Sequence, residues 1–377
     1  YGTVGAGVYS MLSDAPGMEA GPVLVRPGKA VESFMVSDAA LIFGDPTVDA
    51  VVETLGGLDP AYSYGMRALE AGKHFITANK AMVAAHGLEL AALAREKGAA
   101  FLFSAACGGG VPFLHNLALS AETDRIEAVS GILNGTTNYM LDAMQRRSLS
   151  YGDALREAQS LGYAESDPTA DVSGLDALRK MQLACAVAFG VLPQSGMLCE
   201  GMEHFTAADV EDIQSRGLVC RLMARGSRAG ESVSAYVEPV LFPRAAPESS
   251  VFTNNNMARY TGKRCGSIVL MGQGAGRFPT ASAVLRDLAA AQQGARSMFP
   301  ENCRAAEADN REAVHSYYIR TGGFAAVRLP LRSVLAQGEV VRAVTEPMSA
   351  EKMHALAQNI RKDGNDLFFA ALEEELC

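Results

Sequence analysis

Several absences narrow what this 377-residue chain can be. No apolar run approaches the ~18 residues of a membrane span, and no signal-peptide pattern is visible. Lysine and arginine number 33 against 42 acidic residues, a net charge of −9, and nothing basic is clustered. That argues against binding a nucleic-acid backbone. The seven cysteines (Cys107, Cys185, Cys199, Cys220, Cys265, Cys303 and Cys377) are odd in number and never form a CxxC pair. The six histidines never form an HxxxH pair. A disulfide framework and a structural zinc site are both disfavoured, and reduced thiols in a cytoplasmic protein are expected. What remains is 49% hydrophobic and 20% charged, enough for the cores of about two to three soluble domains.

The first residues, YGTVGAGVYSML, have the pattern of a phosphate-binding turn entered midway. Gly2, Gly5 and Gly7 are expected to precede a short apolar helix, where backbone can approach a pyrophosphate. Gly2, Thr3, Val4 and Gly5 are therefore candidate cofactor-binding residues. The strand and glycine expected ahead of such a turn do not precede Tyr1, so a further N-terminal segment is expected. Short strands at Gly21–Val25, Asp49–Glu53, His74–Thr77 and Ala100–Phe103 alternate with helices from about Pro60 to Ala71 and Ala85 to Lys97. This alternation predicts a parallel sheet with its ligand crevice at the strand ends, where Thr54, Gly56, Gly57 and Lys80 fall. Arg26 ends the first strand, where an acid would select NAD and an arginine accommodates a 2′-phosphate. NADP is the expected cofactor and NAD the alternative; a plain surface arginine explains the residue equally well.

Gly108–Gly110, Val111 and Pro112 form a tight turn whose exposed backbone suits an anion or a monovalent cation. A strand from Ile126 to Leu133 runs into NGTTNYML, placing Asn134, Gly135, Thr136 and Thr137 at a strand-to-helix junction where free amides can meet a carboxylate. Beyond Gly190, segments near 218–224, 232–240, 251–256 and 267–271 read as a mainly antiparallel sheet. GQGAGRFPTASAV is a second glycine turn, containing Gly274, with Pro279 and Thr280 at a helix start. Toward the end, strands are expected near 316–320 and 325–329, and an acidic terminal helix ending at Glu373, Glu374 and Glu375.

The stretch GYAESDPTADVSGLDALRK, Gly162 to Lys180, concentrates the chemistry. It carries Glu165, Asp167, Asp171 and Asp176, and Pro168 keeps its first half out of regular structure. Asp171 or Ser173 can cap a mostly apolar helix from Leu175 to Gly190, on which Asp176 and Lys180 are i,i+4 neighbours. The plain reading is a solvated acidic loop with one surface ion pair. The chemical reading is a lysine whose proton affinity is tuned by nearby acids.

Seven segments together resemble the homoserine dehydrogenase family, in its order and spacing over roughly residues 1 to 290. They are YGTVGAG, VVETLGG, ITANKAMVA, CGGGVP, SGILNGTTNYML, GYAESDPTADVSGLDALRK and GQGAGRFPTASAV. The resemblance implies NAD(P)-dependent interconversion of L-aspartate 4-semialdehyde and L-homoserine, in threonine and methionine biosynthesis. It puts the proton donor on Lys180 and a second active-site lysine on Lys80, with Asp176 as orienter. Substrate contacts fall on Tyr163, Glu165, Asp171, Asp176, Gly135 and Thr136; cofactor contacts fall on the N-terminal turn, Arg26, Thr54, Gly56, Lys80 and Gly274. A sodium ion would sit on the backbone carbonyls of Cys107, Gly109 and Val111, although Ser104 stands where the family often has a glutamate.

The fold class expected is α/β: a Rossmann-type nucleotide-binding domain (1–128, first strand missing) and an α+β substrate and dimerisation domain (129–293). The last helix of the second domain would return to the first. Residues 294–377 are expected as a small appendage, a degenerate ACT-like segment in which YYIR stands for the first strand and the usual Asp-x-Pro-Gly turn is absent. A homodimer or higher homo-oligomer is expected. The rival readings are a dehydrogenase for another amino-acid semialdehyde and a cofactor-impaired binding protein.

Overall fold

The computed structural model describes residues 1–326 and 328–373. The chain divides into two compact units. One comprises residues 1–124, 186–192 and 272–304; the other comprises 125–185, 193–271 and 305–377.

In the first unit, strands Ala50–Glu53, His74–Thr77 and Phe101–Leu102 pair in parallel in that order. Val23–Leu24 and Met35–Val36 form a separate two-stranded parallel sheet. A cavity of about 730 Å³ touches strands from both sheets and is lined by Val8, Leu12, Leu24, Val51, Leu288 and Ala291 among others. The helix expected from about Ala85 begins at Lys80, because the Asn79 side chain accepts the Met82 amide and caps it. Gly2 caps the helix Thr3–Leu12, so Gly5 and Gly7 lie inside that helix rather than before it. A Cβ at Gly7 would sit 2.9 Å from the Arg277 carbonyl oxygen, so glycine there lets helix Thr3–Leu12 approach helix Arg277–Gln292. That second helix starts after Gly276, with Pro279 in its first turn. Thr280 is buried within the helix and does not cap it.

The second unit is built on a ten-stranded sheet. Its order is Gly266–Gln273, Asn255–Gly262, Ile126–Ile132, Leu218–Ala229, Ser232–Pro243, Leu367–Leu372, Tyr317–Gly322, Val340–Thr345 and Leu331–Ala336, with Leu198–Cys199 also beside Ser232–Pro243. The strand expected at 251–256 forms later, at Asn255–Gly262, because Pro247–Ser250 makes a turn of 3₁₀ helix.

The expected appendage does not stand apart. Residues 305–373 join the second unit, and its last strand pairs in parallel with Ser232–Pro243, Val240 opposite Ala371. The four C-terminal strands lie in the order fourth, first, third, second, the arrangement of a split βαβ unit. The first helix of that unit is only Gly323–Ala326, which occupies part of the expected 325–329 strand; the strand comes at Leu331–Ala336. The expected terminal helix is, within the described residues, the strand Leu367–Leu372; Glu374 and Glu375 lie outside them. Every residue of that strand is buried, as a doubly covered strand requires. Phe369 and Ala371 share a core with Met353, Ala357 and Ile360 of helix Ala350–Lys362. On the other side Phe368 meets Phe205, rings 5.2 Å apart, and Arg320 pairs with the buried Asp209 at 2.8 Å. Residues 294–304 belong to the nucleotide unit instead, where the Arg296 carbonyl accepts the Phe101 amide and Phe299 packs on Phe103.

Candidate active site

In the second unit, strand Ile126–Ile132 delivers the chain through Leu133 to Asn134, which caps helix Gly135–Arg147 by accepting the Thr137 amide at 2.8 Å. The cap leaves the Asn134 amide nitrogen free to work sideways. It donates to Asp171 Oδ1 at 2.8 Å and to Asp176 Oδ2 at 2.9 Å. Asp176 stands in the first turn of helix Leu175–Phe189, one turn before Lys180. The Lys180 ammonium donates to Asp176 Oδ2 at 2.7 Å and to the Leu133 carbonyl at 2.6 Å. Both side chains are only 12% exposed, so this pair is not a solvated surface contact. Leu178, Met181 and Ala184 around it are buried, which holds the helix in place.

Thr136 ties in the preceding loop. Its hydroxyl lies 2.5 Å from the Tyr163 carbonyl and 3.1 Å from Asp171 Oδ2. The Tyr163 ring packs against Tyr139 with centroids 5.1 Å apart. A Cβ at Gly135 would lie 2.8 Å from the Asn254 carbonyl oxygen, so only glycine allows that approach. The structure thus gathers Gly135, Thr136, Tyr163, Asp171, Asp176 and Lys180 into one cluster. Glu165 is not in it: its side chain is exposed on the loop, and its carbonyl accepts from Gln159. Asp167 is a turn residue, accepting from the Thr169 amide and hydroxyl, and those bonds hold its pKa below the ordinary value. Asn134, expected only as part of the strand-to-helix junction and with no side-chain role, is its hub. The signal for it was an Asn directly before a helical GTTNYML run, the signature of an N-cap.

In the first unit, Gly2 to Gly5 open helix Thr3–Leu12, whose first amides have no intrahelical acceptors and can face an anion. Gly5 abuts Thr54, since a Cβ on it would be 2.9 Å from Thr54 Oγ1. Gly56 (φ +81°) follows in the same loop, and Lys80, half-buried, opens its helix. Arg26 is exposed two residues past strand Val23–Leu24. Gly109 (φ +53°) lies against Gly274, and the Gly110 amide donates to the Gln273 carbonyl at 3.0 Å.

Cys107, Gly109 and Val111 are buried in that turn, and their carbonyls are neutral donors of the kind a monovalent cation takes. The Arg286 guanidinium approaches the neighbouring Gly110 carbonyl at 3.5 Å. Position 104 contributes no carboxylate; the Ser104 amide instead donates to Asp287 Oδ2 at 2.7 Å. Burial raises the Asp287 pKa to about 6. Among the described residues, no cluster of three or more His, Cys, Asp or Glu is placed to hold a metal, and no helix is long and apolar enough to cross a membrane. The six described cysteines are free thiols.

A parallel-sheet unit with helix starts at its strand ends, and a second unit carrying a part-buried lysine–carboxylate pair, define a two-unit α/β protein of the nucleotide-binding class. Residues 1–104 match the family model described as homoserine dehydrogenase, NAD binding domain, and residues 112–289 match that of homoserine dehydrogenase. The chain belongs to the homoserine dehydrogenase family. It is 40% identical over 272 residues to the homoserine dehydrogenase of Corynebacterium glutamicum, covering 71% of this chain and 61% of that one. It is 37% identical over 311 residues to that of Synechocystis, covering 76% and 70%. A crystal structure of a homoserine dehydrogenase from Thiobacillus denitrificans superposes with a TM-score of 0.87 at 28% identity, over 99% of this chain and 96% of that one.

Proposed function

We propose that the chain interconverts L-aspartate 4-semialdehyde and L-homoserine with NADP as the preferred cofactor. The observation that carries this is the Lys180 ammonium, held by Asp176 and the Leu133 carbonyl beside a second carboxylate, Asp171. A bound nicotinamide supplies or accepts the hydride. Lys180 supplies the proton to the nascent alkoxide and stabilises its developing charge. Asp176 and the Leu133 carbonyl fix the direction of the ammonium, and Asn134 fixes Asp176. Asp171, anchored by Asn134 and Thr136, holds the substrate ammonium; Glu165, on the exposed loop and outside the cluster, is its second proposed partner. The amides near Gly135 and Thr136 serve the substrate carboxylate.

In the nucleotide unit, Gly2 to Gly5, Thr54, Gly56, Lys80 and Gly274 bind the cofactor, and Arg26 receives the 2′-phosphate. The carbonyls of Cys107, Gly109 and Val111 would hold a monovalent cation as a structural tie, with no step assigned to it. The setting is cytoplasmic and the assembly a homodimer or larger homo-oligomer.

The test is NADPH oxidation with aspartate semialdehyde, repeated with NADH and with de-aminated or longer aldehydes. Turnover selective for aspartate semialdehyde and NADPH is expected. Equal kcat/KM for the de-aminated analogue would remove Asp171 and Glu165 from the substrate amine. Ser104, standing where the family often has a glutamate, motivates a second reading, a cofactor-impaired binding protein. Absence of NADPH binding in titration would support that reading over the first.

A further inference from the structure

Glu53 ends the strand Ala50–Glu53 and is 3% exposed, yet the reaction above gives it no role. Its carboxylate is filled by donors. Oε1 accepts the Leu55 amide at 2.5 Å and the Gly56 amide at 3.3 Å, while Oε2 accepts the Thr77 hydroxyl at 2.5 Å. The Thr77 oxygen accepts the Asn79 amide at 2.9 Å. Asn79 then closes the ring: its Nδ2 donates to the Gly57 carbonyl at 2.6 Å, and its Oδ1 caps the helix that begins at Lys80. One buried carboxylate therefore joins the ends of two neighbouring strands. On one side is the loop 54–57, whose Thr54 abuts Gly5 in the first turn of helix Thr3–Leu12; on the other is the start of the Lys80 helix.

A buried carboxylate is costly unless its lone pairs are filled, and here three donors from both loops fill them. Such a residue has one preferred arrangement of its neighbours, which is how a site is preorganised. We infer that Glu53 is a positioning residue that sets the 54–57 loop and the Lys80 helix start in common register, so that cofactor affinity depends on it. Proton donation by Lys180 does not. The inference rests on the proposed reading of this edge as the cofactor site.

The test compares wild type with Glu53→Ala and Glu53→Gln, using NADPH binding by fluorescence or calorimetry together with steady-state kinetics. Wild type must bind NADPH; if it does not, the functional reading fails before Glu53 is at issue. With binding established, E53A is expected to raise the NADPH Kd and KM by about tenfold or more. The KM for aspartate semialdehyde and kcat at saturating NADPH should stay within about threefold of wild type. E53Q keeps one acceptor oxygen for the loop amides but turns a donor toward Thr77, so its shift is expected to be smaller and in the same direction. A merely structural role would lower Tm and the active fraction while leaving the Kd of the folded protein unchanged. That result, or a wild-type Kd in either folded variant, overturns the inference. If E53A does not fold, E53Q and Asn79→Ala carry the same comparison.

Discussion

Lys180 and Asp287 show two ways in which burial changes what a charged residue can do. The Lys180 ammonium keeps two fixed acceptors, which costs it freedom but aims it. Replacing it with alanine is expected to lower kcat by about two to four orders of magnitude while leaving NADPH binding unchanged. Stopped-flow turnover beside an NADPH titration measures both, and near-normal turnover would remove the lysine from its role. Asp287 accepts the Ser104 amide, and burial, outweighing Ser104 and the Arg286 charge, lifts its pKa from 3.8 to about 6. An acid whose folded pKa is raised favours folding when protonated. Its contribution is therefore full below about pH 4 and is lost as pH rises through about 6, a change of roughly 3 kcal/mol. Asp287→Asn stays neutral throughout and is expected to flatten the dependence of Tm on pH in that window. An unchanged pH profile in the variant would contradict it.

Among the elements, the glycine turns give the clearest contrast. Gly109 has φ +53°, and a Cβ on it would lie 2.4 Å from the Gly274 carbonyl oxygen. Gly230, in the hairpin between Leu218–Ala229 and Ser232–Pro243, has φ +61° with nothing within 4 Å of that position. Both pay the left-handed backbone penalty, about 1–2 kcal/mol for an alanine. Only Gly109 adds a backbone collision, so Gly109→Ala is expected to cost about 3 kcal/mol or more against about 1–2 for Gly230→Ala. Chemical denaturation of the two variants measures the gap, and equal losses would show that the two turns do not need their close approach. Element positions were partly legible from local signals. The strand at 74–77 follows turn residues and apolar pattern, and the strands expected at 218–224 and 232–240 are present but run on to Ala229 and Pro243. The helix at 80–97 began earlier than its alanine-rich body suggested, because the Asn79 side chain caps it by accepting the Met82 amide.

At the scale of the whole chain, the C-terminal strands are part of the second unit's main sheet. Deleting residues 305–377 would uncover the edge of Ser232–Pro243 and expose Val240, Phe242 and Met223, which share a core with Tyr317 and Phe369. Such a chain is expected to be insoluble or to lose cooperative unfolding, as an unpaired apolar edge predicts. Recovery of a soluble, cooperatively folding 1–304 fragment would show that the appendage is separable after all. The sequence suggested separability because the matches to its chemical motifs stop near residue 290. Sheet continuity has no such local mark, since a parallel pairing between residues 240 and 371 leaves no pattern in either segment alone.

The sequence by itself determined the chemical types available. It placed a lysine one turn after an aspartate and an NGTT junction at a helix start, because capping and spacing act within a few residues. It also determined Asp167 as a turn residue beside Pro168. Only the tertiary structure decided which of these meet. Asn134 bridges Asp171 and Asp176 across gaps of 37 and 42 residues, while Glu165, nearer in sequence to Asp171, stays exposed. The reason is physical. A buried amide must satisfy its donors wherever the fold brings acceptors, whereas an exposed carboxylate is satisfied by water and needs no partner.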